Sequence, residues 1–134
     1  MNLAQFESYS IVFMSILLLW ALSWIVLSAV KMRDSRHKIF WQVNLFWNVV
    51  NLVIASVTLL QISTRQVLLF EEAQRLITIV GVNIILDIGY LIVALLLLQR
   101  RSDVKNQIGT AIIVQGSFLL ILDSAIVLVL KPFL

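Results

Sequence analysis

The stretch GVNIILDIGY, residues 81–90, places the carboxylate of Asp87 in the middle of a long apolar run. A second carboxylate, Asp123, sits the same way in QGSFLLILD, residues 115–123. Amides and a phenol accompany them. At 3.6 residues per turn, Asn83, Asp87 and Tyr90 share a helix face, and Asn44, Asn48 and Asn51 repeat that spacing in WQVNLFWNVVN. Gln115 precedes Asp123 by two turns. No Lys, Arg or His lies in the central turns of these segments, so neither aspartate has a fixed cation beside it. Each must then carry its own proton or hold a mobile cation, because an ionised carboxylate is costly in an apolar setting. At least one of the pair is expected to be protonated while the site is empty. Asn, Gln and Tyr add carbonyl acceptors, amide donors and a phenol to the two acids. The set suits a proton relay, Na⁺, an ammonium group or a small polar ligand. Mg²⁺ or Ca²⁺ would want more carboxylates or waters.

The elements that hold these groups are membrane helices. The chain has 134 residues, 61% of them hydrophobic and 13% charged, with a mean hydropathy of +1.03. Soluble domains are nearer half apolar and a quarter charged. A spanning helix needs about 20 mainly apolar residues, and four segments qualify: about 9–30, 39–62, 67–98 and 107–130. In the third, VLLFEEAQR reads as an extension of the helix into the outer interface, or as a short helix lying on it. The first run is too long for a signal-peptide core and lacks a basic leader, so no cleavage is expected. One domain, 1–134, is expected, as an all-α, polytopic, antiparallel up-down-up-down four-helix transmembrane bundle.

Charge sets the expected orientation. Lys31, Arg33, Arg36 and Lys38 crowd the first connector, and Arg100, Arg101 and Lys105 the third. By the positive-inside rule, loops 31–38 and 99–106 are cytoplasmic and both termini lie outside. The +3 net charge therefore reads as a topology signal rather than as a nucleic-acid surface. With no cysteine there is no disulfide, thiolate zinc site or iron–sulfur cluster. No HExxH, GxSxG or phosphate loop is present. Neither aspartate sits in the Gly-x-Gly-Asp context of intramembrane aspartyl proteases. An enzyme is not expected, and no cofactor.

Position along the spans, at about 1.5 Å per residue, puts Asp87 and Asn51 near the bilayer centre. Asn83 and Asp123 fall roughly 6 Å outward of it, and Tyr90, Gln115 and Asn48 roughly 5 Å inward. Matching depths on three helices point to one cluster facing the bundle interior, since a lipid-facing aspartate costs about 2.5–3.5 kcal/mol on insertion scales. The amide stripe also has a plainer reading as interhelical hydrogen-bond glue. Trp20, Trp24 and Trp47 read as core packing before pocket lining, and Trp41 as an interfacial anchor.

WNVVN on the second helix, NIILDIGY on the third and QGSFLLILD on the fourth together resemble an uncharacterised family of small four-helix bacterial membrane proteins, a domain of unknown function. The resemblance covers roughly residues 32–131 and implies that Asn48, Asn51, Asn83, Asp87, Tyr90, Gln115 and Asp123 form the family's site. It implies no activity. The chain is expected in the inner (plasma) membrane. Its expected partners are the lipid bilayer and a small cation or proton, with the chain working as a homo-oligomer or in a larger membrane complex. The alternative is a structural or accessory subunit whose polar seam only specifies helix packing.

Overall fold

The computed structural model describes residues 2–33, 36–64 and 70–134. Four helices carry them: α1 Leu3–Lys31, α2 Lys38–Thr64, α3 Phe70–Leu98 and α4 Asp103–Leu130, followed by a 3-10 turn at Lys131–Phe133. Val67–Leu69, the start of the expected third helix, lie outside the described residues, as does Arg65. The helices have 29, 27, 29 and 28 residues. At about 1.5 Å per residue they exceed the ~30 Å of a bilayer core. All four are long and apolar enough to cross a membrane. They outrun the apolar segments because backbone hydrogen bonding continues where side chains turn polar. α1 begins six residues before Tyr9, with the Asn2 side chain accepting from the Gln5 N–H at 3.2 Å, an N-cap that satisfies one of the free donors of the first turn.

The distribution of side chains is inverted relative to a water-soluble bundle. Ile85, Ile121 and Leu128 are 70–75% exposed, while Asn44 and Asn48 are fully buried. Interior positions favour small residues: Ala21, Ala55, Ala73, Ala94 and Ala111 are all fully buried. Helices that bury little apolar area must gain from close van der Waals approach, and small residues permit it. This arrangement is compatible with a multi-pass membrane protein.

The contacts give the directions. Trp20 and Asn44 both bond Gln115, and Trp24 meets Trp41 at 6.2 Å, so α1 and α2 run oppositely. Gly116 abuts Leu91, and Gly109 abuts Ala94 and Leu98, so α3 and α4 do too. Two tight hairpins result, α1 with α2 and α3 with α4, and α4 also packs on α2 and, less extensively, on α1. The expectation that consecutive helices are neighbours fails at one place. α2 and α3 scarcely approach at backbone level, because α4 is drawn in between by its close seat on α3. The space between α2 and α3 is spanned by side chains, among them Trp47 against Tyr90, edge to face at 5.3 Å.

Gly109 sets the closeness of the α3–α4 seat. A Cβ there would lie 3.0 Å from the Ala94 carbonyl oxygen and 3.2–3.3 Å from Leu98 and Leu97. At Gly116 the tight contact is with the flexible Leu91 side chain at 3.3 Å. Gly109→Ala is therefore expected to destabilise by about 1–3 kcal/mol through overpacking, and Gly116→Ala by clearly less. Thermal unfolding of the two variants in detergent checks the order.

Candidate functional site

The interior polar groups divide into a closed set and an open one. The closed set lies toward the ends of the helices that carry connectors 32–37 and 99–102. There the Gln115 Nε2 donates to Asn44 Oδ1 at 2.7 Å, and its Oε1 accepts from the Trp20 indole N–H at 2.9 Å. Asn44 Nδ2 donates to the Phe40 carbonyl at 2.8 Å. Gln107 Oε1 accepts from the Phe40 N–H at 3.2 Å, while its Nε2 donates to Asp103 Oδ2 at 2.7 Å. The Trp20 ring is fixed by a parallel stack on Phe118, centroids 3.8 Å apart. This ladder joins α1, α2 and α4, and its amides are engaged through both nitrogen and oxygen.

One turn further on, the pairing stops. Asn48 Nδ2 donates to the Asn44 carbonyl at 2.8 Å, but its Oδ1 is buried without a hydrogen-bond partner. So are Asn51 Nδ2, the Trp47 indole N–H and Asp87 Oδ2. Each such atom costs about 1–3 kcal/mol if nothing meets it. Ser28 Oγ and Asn106 Oδ1 are also buried and unpaired, nearer the connector ends.

Two contacts fix the levels of the open groups along the bundle. Trp47 touches Tyr90. Four residues along α2 from Trp47 reach Asn51, and three residues back along α3 from Tyr90 reach Asp87, steps of about 6 and 4.5 Å in the same direction. Gln115 bonds Asn44, and from that pair Asn51 and Asp123 lie seven and eight residues onward, about 10.5 and 12 Å. Asn51, Asp87 and Asp123 therefore stand within a few ångströms of one level. Asp123 is half-buried. On α1, counting back from Trp20, this level falls at Phe13 and Met14, both part of the apolar packing.

The structure thus gathers Asn48, Asn51, Asp87 and Asp123, with Gln115 one layer away and engaged in the ladder. Tyr90 stands at the rim, 39% exposed, its ring held against Trp47. Asn83 is not in the cluster; it is exposed. The buried line of α3 is Ala73, Val80, Asp87 and Ala94, a strict seven-residue repeat. At about 100° per residue, Asn83 and Tyr90 lie roughly 40° and 60° to one side of Asp87, past the edge of that line. Trp47, expected as core packing before pocket lining, has an indole N–H buried without a partner one turn from Asn51. Gln107 was passed over altogether, although it lies eight residues before Gln115 on one face. Among the described residues no three His, Cys, Asp or Glu side chains are grouped to hold a metal ion.

Beyond the site, toward the opposite end of the bundle, the core is apolar. Phe6, Met14, Leu17, Ala55, Ala73, Val80, Leu122, Ile126 and Leu130 form one packed cluster. A cleft of about 360 Å³ opens between α1, α2 and α3 at that end, with Glu7, Thr58, Gln61, Glu72 and Arg75 among its walls. On α2 and α3 its walls Thr58 and Ile79 lie seven and eight residues from Asn51 and Asp87, about 10–12 Å away, while on α1 its wall Ser10 comes within about one helical turn of that level. The carboxylates thus lie between the polar ladder on one side and, on the other, an apolar cluster with the cleft beside it.

A family model matches residues 16–124. The chain belongs to DUF6992, a family of unknown function. The matched span of DUF6992 runs from the middle of α1 to one residue past Asp123, so it contains every residue of the open set and the ladder's Trp20, Asn44, Gln107 and Gln115. The α1 wall of the cleft, Phe6, Glu7 and Ser10, falls outside it. No curated protein matches the chain, and no solved structure does.

Proposed function

We propose that the chain is a multi-pass protein of a bacterial inner (plasma) membrane whose mid-bundle cluster binds or passes a proton or a small polar ligand, working as an oligomer. The observation that carries this reading is the mixed character of the unpaired atoms. Two are N–H donors, Trp47 Nε1 and Asn51 Nδ2, and two are oxygens, Asn48 Oδ1 and Asp87 Oδ2. A bare alkali cation would meet two donors that repel it. A water, a proton carried on water, or a small group that both donates and accepts would satisfy all four. Asp87 is the principal charge-bearing group and Asp123 its partner.

Four helices enclose too little volume for a full alternating-access path, so transport would require a second copy. A dimeric, proton-coupled carrier is the concrete version. A second reading, a structural subunit held in register by its polar seam, is favoured by the ladder, whose amides are already paired within the chain. The two readings differ on the open set alone. Melting temperatures in detergent, with and without Na⁺, discriminate within the first reading. A ligand that binds the folded state must raise the melting temperature by mass action. Na⁺ is expected to shift it by less than about 1 °C, and a larger, saturable shift would return the alkali-ion version to the lead.

Orientation follows from the basic connectors. A Ser63→Cys variant should react with a membrane-impermeant maleimide in intact cells, and a Ser102→Cys variant only after the cells are opened. The reverse pattern would invert the orientation without moving the site.

A further inference from the structure

We infer that the exposed face of α3 bearing Asn83 docks a second copy of the chain, with Asn83 meeting its counterpart across a two-fold axis along the membrane normal. The inference rests on the membrane-spanning reading above and on nothing about the ligand.

Asn83 is the anomaly that requires it. The other amides and carboxyls at the middle of the helices are buried or half-buried, whereas Asn83 is exposed and bonds no described residue. An uncovered amide has no water to turn to in a bilayer core. Membrane helices resolve such a residue by hydrogen bonding it across a helix interface.

The residues around Asn83 have the period of such an interface. Ile79, Asn83, Leu86, Tyr90 and Val93 alternate by four and three, the spacing of a two-helix seam. Ile79, Leu86, Tyr90 and Val93 are 39–50% exposed, so the chain itself does not cover the seam. Gly89 lies on the same exposed half of the helix, and a Cβ there would meet nothing within 4 Å. Nothing inside the single chain therefore requires a glycine at that position.

The occupant is a second copy because a primary amide is self-complementary, with a donor and an acceptor on one group. Copies inserted with one topology can be related only by an axis along the membrane normal. A two-fold contact brings identical patches together, and with that axis equal depths meet, so Asn83 finds Asn83. Asp87 is the next residue along the helix on the side of this seam facing the site. The dimer would thus place the two open sites on either flank of the α3 pair.

The chain has no cysteine, which makes single-cysteine cross-linking clean. The variants are reconstituted at low protein density in vesicles of phosphatidylethanolamine and phosphatidylglycerol and washed with alkaline carbonate. Asn83→Cys should form a disulfide-linked dimer on mild oxidation. Ile121→Cys, close in depth and 71% exposed on α4, should remain a monomer. Asn83→Leu should weaken association by about tenfold when the lipid is diluted, read by fluorescence energy transfer, and Asn83→Gln should retain it. Equal cross-linking at positions 83 and 121, none at 83, or undiminished association of Asn83→Leu overturns the interface. A chain removed by the carbonate wash defeats the membrane reading instead, and the interface with it.

Discussion

Replacing Asp87 and Asp123 together by asparagine should leave a folded, assembled protein that has lost its ligand traffic. Asparagine nearly matches a protonated aspartate in shape and keeps a donor and an acceptor, so interior packing is preserved. What disappears is the ability to release a proton or carry a charge. In proteoliposomes with an imposed pH gradient, flux through the double variant should fall at least about tenfold, a loss of ~1.4 kcal/mol or more in the barrier. Asp87→Asn alone should account for most of the fall, because Asp87 is the more buried acid and has an oxygen buried without a partner. Should the double variant carry protons at the parent's rate, the acids do not carry the function and the structural reading takes over.

The second large effect belongs to the ladder. Gln115→Leu removes both bonds that tie α1 and α2 to α4 at this level, stranding the Trp20 indole N–H and Asn44 Oδ1 in the interior. Two orphaned groups at about 1–3 kcal/mol each, softened by the weaker average of about 0.6 kcal/mol per bond measured among membrane helices, predict a loss of roughly 1–4 kcal/mol. The melting temperature in detergent should fall accordingly. Flux per folded molecule should change far less than in the aspartate variants. A large flux defect with an unchanged melting temperature would move Gln115 from the scaffold into the site.

The residues show which parts of this architecture can be read from a one-dimensional pattern. Helix number and the approximate spans follow from apolar runs, because a bilayer imposes a minimum length on each. Level is also legible: a fixed rise per residue set Asn51 beside Asp87 before any contact was known. Helix face is not. Asn83 and Asp87 are four apart, and spacing alone joins them, but a rotation of about 40° decides which side of the buried line each occupies. That rotation goes with the seat of α4, where a Cβ on Gly109 would lie 3.0 Å from the Ala94 carbonyl oxygen, and no local pattern in α3 announces it. Trp47 was ambiguous for a different reason: an indole packs and donates at once, and only its unpaired N–H separates the roles.

Infrared difference spectroscopy on the reconstituted protein tests the central claim most directly, because it observes the carboxyl groups themselves. A protonated, solvent-exchangeable carboxyl C=O band is predicted in the parent. It should shift on transfer to D₂O, vanish on ionisation as the pH is raised, and be absent from Asp87→Asn, Asp123→Asn. No protonated-carboxyl band at neutral pH, where the ordinary surface carboxylates are ionised, or one that survives there in the double variant, would contradict the account.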